Sequence, residues 1–109
     1  MARSFRVFYA NQPPGVEAKN FNINGFEITN GHAVVVTAAL FPGGPGSFGP
    51  DLNTRLQVHG PFVWVSNIVP HGSSSEATGV EFVLHVDNTS QPANVAATIT
   101  VFDRCEGFG

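Results

Sequence analysis

The histidines of this sequence are the first residues whose chemistry can be judged from spacing, because a neutral imidazole nitrogen is a good zinc ligand. They are His32, His59, His71 and His85. No two of them have the i, i+2 spacing of one strand face or the i, i+4 spacing of one helix face. His59 and His85 could bind a metal together with Asp87 only if their strands were neighbours, and the alternative is that both are surface histidines. We therefore predict no metal site and no cofactor.

Side chains for nucleophilic or acid–base catalysis are present, but none has a setting that would activate it. The serines at 73–75 lie in a polar connector without the strand–turn–helix context of a Gly-x-Ser-x-Gly motif. Cys105 lies near the C-terminus, which is typical of a free thiol in a chain tail. Glu81 and Asp87 are about 20 Å apart along one predicted strand, too far for a glycosidase pair. The sequence predicts no catalytic residue.

A row of polar side chains is the better candidate for function. If residues 54–59 form a strand, alternate side chains point to one face, with two more polar residues at its loop end and a tryptophan just beyond the next turn. The candidate ligand-binding residues are Asp51, Asn53, Arg55, Gln57, His59 and Trp64. Planar hydrogen-bonding groups beside an aromatic ring suit a sugar or another small polar ligand. The alternative is that Trp64 belongs to the core and the row is simply solvated.

These residues would be positioned by strands, because no window of eleven or more residues has apolar positions at helical spacing. Short runs alternate with period two between Gly, Pro, Asn and Ser. The predicted strands are residues 4–10, 20–23, 26–29, 32–41, 54–59, 62–69, 79–87 and 94–103. Asn24-Gly25 predicts a hairpin between the second and third of them. Seven or eight short antiparallel strands without a long helix predict an all-β fold, a β-sandwich or jelly roll.

Length and composition favour one domain with a neutral polar surface. The 109 residues form a single predicted domain, 1–109, with a flexible Gly/Pro loop at 42–52 and a tail at 104–109. Asn, Gln, Ser and Thr number 26 against 13 charged residues, and the net charge of −3 gives no attraction to nucleic acid or anionic membranes. Without an apolar leader or membrane span we expect a soluble protein, either cytoplasmic or secreted after leader removal.

Some predicted strands carry more apolar surface than one core can hide. Strands 79–87 and 94–103 alternate cleanly, whereas 33–41 and 62–69 are apolar on both faces. A bare second face would be an exposed patch of the kind that soluble monomers avoid, so we predict self-association through a sheet face. The alternative cover is the loop at 42–52. The candidate interface residues are Val35, Thr37, Ala39, Phe41, Val63 and Val65.

These patterns support three functional hypotheses. The preferred one is a non-catalytic recognition module, lectin-like or adhesive, that acts as a small homo-oligomer and binds a polar ligand such as a carbohydrate. The alternative is a structural subunit of an assembly, such as a capsid, appendage or particle, with no ligand. The third is a small β-barrel enzyme whose pocket would contain Trp64, His85 and Tyr9. Partners other than the chain itself and such a ligand are not expected, and nucleic acid and membrane are excluded.

Overall fold

The computed structural model describes residues 2–43, 51–87 and 91–109, and these residues form two antiparallel three-stranded sheets with no helix. The strands are β1 (Arg3–Gln12), β2 (Gly15–Asn22), β3 (His32–Leu40), β4 (Val63–His71), β5 (Gly79–Val86) and β6 (Ala93–Arg104). The strand order is β1-β6-β3 in the first sheet and β2-β5-β4 in the second. The all-β prediction is confirmed. No apolar helix of membrane-spanning length occurs among the described residues.

The two sheets share one hydrophobic core, and the central strands β5 and β6 supply most of it. Their buried side chains are Val80, Phe82, Leu84 and Val86 from β5 and Ala93, Val95, Ala97 and Ile99 from β6. Each central strand buries one face, which is why its sequence alternates with period two. Val36 and Leu40 from β3 and Ile28 from the 23–31 connection complete the core. The opposite face of each sheet is therefore directed away from the core.

Three of the four edge strands are irregular. The register of β1 against β6 shifts between Tyr9 and Gln12, where Asn11 has a φ of 53°. The register of β3 shifts near its start, between His32 and Val34. In β4 it shifts around Asn67, which has a φ of 52°. Such bulges interrupt the row of free backbone groups that would otherwise pair with another chain.

The fourth edge strand, β2, is regular but carries a lysine on its core-facing side. Lys19 pairs in register with Phe82, and its ammonium lies 4.7 Å from the centroid of the Tyr9 ring. The same ammonium lies 3.0 Å from Oε1 of Glu17. An inward-facing charge is another device that opposes edge-to-edge association, because a second strand would desolvate it.

Residues 54–59 do not form the predicted strand. Only Gln57 pairs there, as an isolated bridge in which its N–H donates to the Leu40 carbonyl at 2.7 Å. Local hydrogen bonds replace the ladder, since the N–H of Thr54 donates to the Asp51 carbonyl and that of Asn53 to an Asp51 carboxylate oxygen. Val58 would face away from the polar row, toward the core, if 54–59 were a strand, but it is 84% exposed. Turn chemistry therefore prevails over the short alternating pattern.

The predicted 20–29 hairpin is also wrong in its pairing. A turn does occur at 24–25, with a φ of 87° at Gly25, but β2 begins earlier, at Gly15, and pairs with β5. The N–H of Ile23 extends the pairing of β2 with β5 by one step, because it donates to the Thr78 carbonyl. Residues 26–29 leave the sheet because Ile28 enters the core, where it is 3% exposed. The described residues thus hold six strands, and the seven or eight strands of a jelly roll are not found among them.

The two predicted mobile segments have different outcomes. Most of the predicted 42–52 loop, namely residues 44–50, lies outside the described residues. The predicted 104–109 tail overlaps the sheet, because β6 extends to Arg104 and the N–H of Cys105 donates to the Gly31 carbonyl at 2.7 Å.

Candidate functional site

An aromatic pair stands on the outer side of the second sheet. Trp64 of β4 lies directly across from His85 of β5 in the strand register. The two rings are stacked, with centroids 4.8 Å apart and planes inclined by 8°. Nε2 of His85 is hydrogen-bonded to the hydroxyl of Ser66 at 2.7 Å. Trp64 remains 48% exposed, so a ring held by two paired strands is available to solvent.

The local sequence of β4 explains why this tryptophan points outward. Val63 and Val65 pack against the core, so the residues between and after them, Trp64 and Ser66, face the other way. Because the two valines occupy the core-facing positions of β4, the indole ring of Trp64 is not needed to fill the core. Trp64 is therefore not the core tryptophan that a β-sandwich often contains.

Cross-strand pairing extends the surface around this pair, which we call the Trp64 face. Of the four rows with this orientation that cross the sheet, the three nearest the aromatic pair belong to this surface. One more row follows beyond the end of β5, where the N–H of Asp87 donates to the Phe62 carbonyl at 2.8 Å. The rows are Val16, His85 and Trp64; Ala18, Val83 and Ser66; Asn20, Glu81 and Val69; and Asp87 with Phe62. Val16 and Phe62 are among the most exposed large hydrophobic residues, at 68% and 76%.

The charge of the Trp64 face has one sign. Glu81 and Asp87 are its formally charged members, and the set contains no lysine or arginine. Lys19 belongs to the opposite side of β2, where it contacts Tyr9 and Glu17. A solvent-exposed aromatic ring beside carboxylates on a strand framework is suited to binding a ligand.

The predicted polar row lies elsewhere. Asp51 and Asn53 are engaged in the turn at 51–54, and Nη1 of Arg55 donates to the Leu56 carbonyl. Arg55, Gln57 and His59 border a shallow depression of about 320 Å³, and Trp64 is not among its lining residues. The structure therefore brings three of the six candidate ligand residues together and separates Trp64 from them.

The histidines do not form a metal centre among the described residues, where no group of three His, Cys, Asp or Glu side chains is placed to hold an ion. His59 lines the depression in the 51–61 connection, whereas His85 contacts Trp64 and Ser66 on the second sheet. His71 is the histidine whose setting sequence reasoning missed, since it is only 5% exposed.

His71 bridges the two edge strands of the second sheet across the middle one. Its Nδ1 donates to the Ala77 carbonyl at 2.6 Å, and its Nε2 lies 2.7 Å from Oδ1 of Asn20 on β2. The ring passes over Gly79 of β5, where a Cβ atom would lie 2.9 Å from Cε1 of the histidine. In the sequence, the only sign of this arrangement is Gly79. Its contact, His71, lies eight residues earlier on the preceding strand and cannot be inferred from the glycine alone.

Tyr9 is separated from Trp64 and His85 by the second sheet. It packs against the core, with its ring 6.4 Å from that of Phe82 in an edge-on arrangement. Burial raises the pKa of the Tyr9 phenol above its ordinary value. The three residues expected to share an enzyme pocket therefore do not meet.

The predicted interface residues do not share one surface either. Val63 and Val65 face the core, as described above, so their assignment to an intermolecular surface is corrected. Phe41 is 5% exposed and is covered within the chain, where its ring meets that of Phe8 edge-on at 5.3 Å. Val35, Thr37 and Ala39 lie on the outer face of the first sheet, paired with Thr100, Thr98 and Ala96.

A cleft between β1, β6 and the 23–31 connection is another concavity of the described residues. It measures about 150 Å³ and is lined by apolar and charged side chains that include Phe5, Phe26, Arg3 and Glu27. The Arg3 guanidinium lies 3.9 Å over the Phe26 ring and so borders the cleft. This volume is comparable to a cavity that holds one benzene molecule, and it is too small for an oligosaccharide.

Comparison of the chain with protein-family models, with curated proteins and with solved structures found no match.

Proposed function

We propose that this chain is a non-catalytic recognition module, a small lectin-like or adhesive β-sandwich that binds a polar ligand such as a carbohydrate on its Trp64 face. The observation that carries the proposal is the half-exposed Trp64 ring, stacked on His85 and mounted on paired strands. A sugar ring stacks its apolar face on such an indole while its hydroxyl groups bond to polar neighbours. Asn20, Ser66 and Asp87 are polar residues of this face.

The rigid placement of the Trp64 and His85 rings supports ligand binding. Trp64 and His85 are cross-strand partners, and the Ser66 hydroxyl holds His85 at 2.7 Å. A ring that is already ordered loses little conformational entropy when a ligand stacks on it, so more of the contact energy appears as affinity. The polar row at 51–59 forms a separate depression, which is an additional contact area in the same proposal.

Association into a small homo-oligomer is the second part of the proposal. Val35 is 48% exposed on the outer face of the first sheet, and Phe102 is 42% exposed near the end of β6. If two copies meet through this face, their Trp64 faces point in opposite directions. Two weak sites then bind a repetitive ligand with a higher apparent affinity than either alone.

The proposal is tested by titrating the fluorescence of the single tryptophan with a panel of neutral oligosaccharides. We expect a saturable change and a rise in melting temperature for at least one sugar, since a ligand of the native state stabilises it. Trp64→Ala should lose the thermal shift. Phe108→Ala, which trims a 94% exposed hydrophobic residue outside both the Trp64 face and the 51–59 depression, should keep it.

Two outcomes would contradict this function. A sugar that still raises the melting temperature of Trp64→Ala would move the site away from the Trp64 face. If no sugar changes the fluorescence or melting temperature, while the mass grows with concentration without limit, the chain is a structural subunit of an assembly. The exposed residues Val16, Phe62 and Val69 are the surface that favours this second function.

A further inference from the structure

We infer that the ligand of the Trp64 face is a carbohydrate with a protonated amino group, bound with its ring on Trp64 and its ammonium beside Asp87. The inference rests on the proposed function and specifies its ligand class. It is argued from the position of one carboxylate relative to the stacked ring and from the sign of the surrounding charge.

Asp87 lies next to the aromatic pair because antiparallel pairing continues past the end of β5. Its N–H donates to the Phe62 carbonyl at 2.8 Å, so the two residues are opposite each other one step beyond the Val63–Val86 pair. Asp87 therefore follows His85 by two residues on the same face, about 7 Å along the strand. Across the ladder it is the diagonal neighbour of Trp64, at about 7–8 Å between backbones.

This spacing suits a ligand whose ring stacks on the indole while a charged substituent reaches Asp87. A sugar ring stacked on the indole carries its substituents around its rim, and a diagonal neighbour lies within reach of one of them. The carboxylate of Asp87 has several acceptor positions, so it can accept a hydrogen bond from an ammonium in addition to its contacts within the chain.

The negative charge of the Trp64 face favours a positive charge on that substituent. Asp87 lies at one end of the face and Glu81 lies further along β5, and no lysine or arginine belongs to the set. The face of the indole also attracts cations through its quadrupole. Both effects favour an ammonium and disfavour a carboxylate on the ligand, so a uronic acid is the disfavoured class.

The test compares three oligosaccharides of equal length: a glucosamine oligomer at a pH that protonates its amines, its N-acetylated counterpart, and a galacturonic acid oligomer. The readout is the fluorescence of Trp64 during titration. We expect the glucosamine oligomer to bind about fivefold more tightly than the N-acetylated one, the size of one exposed charge pair. The galacturonic acid oligomer should bind more weakly than both. High salt should reduce the differences.

Asp87→Asn is the decisive variant and Glu81→Gln is its matched control. Asp87→Asn should remove the preference for the amine, so that the glucosamine oligomer and its N-acetylated counterpart bind this variant with equal affinity. Glu81→Gln, which removes the same charge at a position further from Trp64, should keep most of the preference. Circular dichroism of both variants verifies that the sheets are retained.

The outcomes separate this inference from the proposed function. If the amino and N-acetylated oligomers bind equally, or the uronic acid binds best, the ligand class is wrong while carbohydrate binding stands. If none of the three changes the fluorescence, the amino-sugar inference fails, and carbohydrate binding fails with it only if the neutral panel is also without effect. If oligolysine binds as tightly as the glucosamine oligomer with the same dependence on Trp64 and Asp87, the face recognises a basic peptide and the carbohydrate class is overturned.

Discussion

Trp64 and His85 show how a large aromatic side chain can be ordered without being buried. The indole shares a stacked contact with the imidazole, an arrangement worth about 0.5–1.5 kcal/mol for an aromatic pair. The Ser66 hydroxyl then restricts rotation of the imidazole through Nε2. Because the core-facing positions of β4 are already filled by Val63 and Val65, the tryptophan contributes surface rather than core.

Tyr9 is the residue whose environment predicts a dependence of stability on pH. Burial raises the pKa of its phenol in the folded state, whereas the unfolded chain titrates at the ordinary value of about 10. The unfolded state therefore loses the proton first as pH rises. The contribution of Tyr9 to the free energy of unfolding is complete below pH 10 and is lost as the pH approaches the raised value.

Ultraviolet absorbance of tyrosinate checks this prediction, because the chain contains one tyrosine. The midpoint should lie above 10 in the native protein and return to about 10 in denaturant. Tyr9→Phe should lose this part of the alkaline destabilisation. An identical midpoint in native and unfolded protein would contradict the buried position of Tyr9.

The edge strands show how the fold limits association through its backbone. Bulges interrupt β1, β3 and β4, whereas regular β2 depends on the inward-facing Lys19. Association through sheet faces is then favoured over edge pairing, which agrees with the proposed use of the outer face of the first sheet.

Lys19→Val should make the edge strand β2 more prone to pair with strands of other chains. The variant loses the charge above the Tyr9 ring and gains a β-branched residue in a strand without a bulge, so we expect more β-aggregate on heating or agitation. Light scattering and binding of an amyloid-sensitive dye measure the effect. Lys19→Arg keeps the charge and should behave like the parent. A valine variant as resistant to aggregation as the parent would show that this lysine does not protect the edge.

The central strands were predictable from the sequence, and the edge strands were predictable only in part. β5 and β6 alternate cleanly because each contributes one face to the shared core. The buried residues on these faces include Val80, Phe82, Leu84 and Val86 of β5 and Val95, Ala97 and Ile99 of β6. In β4, the bulge at Asn67 reverses the alternation, so that Val65 and Ile68 both face the core although they are three positions apart. A strict period-two pattern therefore assigns apolar residues to both faces of this strand.

The site was predictable to a smaller degree than the fold. Trp64 was among the candidate ligand residues, but its actual neighbours, His85 and Ser66, depend on which strand pairs with β4 and in what register. Residues 54–59 are typical of a strand in the sequence because polar and apolar residues alternate from Arg55 to His59. Their backbone groups bond locally around Asp51 instead, which no pattern of side-chain polarity reveals.

At the scale of the whole molecule, the two outer faces differ in character. The Trp64 face is aromatic and acidic, whereas the outer face of the first sheet carries a hydroxyl network in which Arg6 donates to Thr98 and Ser4 bonds to Thr100. Val35 is the exposed hydrophobic residue of β3 within that network. The proposed function assigns a ligand to the first of these faces and a second copy of the chain to the other.

Val35→Lys tests this division. A lysine on each copy would place like charges at the proposed contact, so the oligomer should dissociate and the mass measured by light scattering should fall to that of one chain. Affinity of the Trp64 face for a monovalent sugar should be unchanged, while affinity for a repetitive ligand should fall at least about tenfold through lost avidity. Val16→Lys, on the other sheet, is the control for self-association. Dissociation by Val16→Lys alone would place the contact on the Trp64 face.

The bridge made by His71 has a consequence for local opening of the second sheet. The imidazole joins β4 to Asn20 of β2 across Gly79, which has no side chain. Neither β2 nor β4 can therefore separate from the sheet at that level without breaking the hydrogen bond of this buried ring. β2 and β4 should therefore open together at this level as a single cooperative unit.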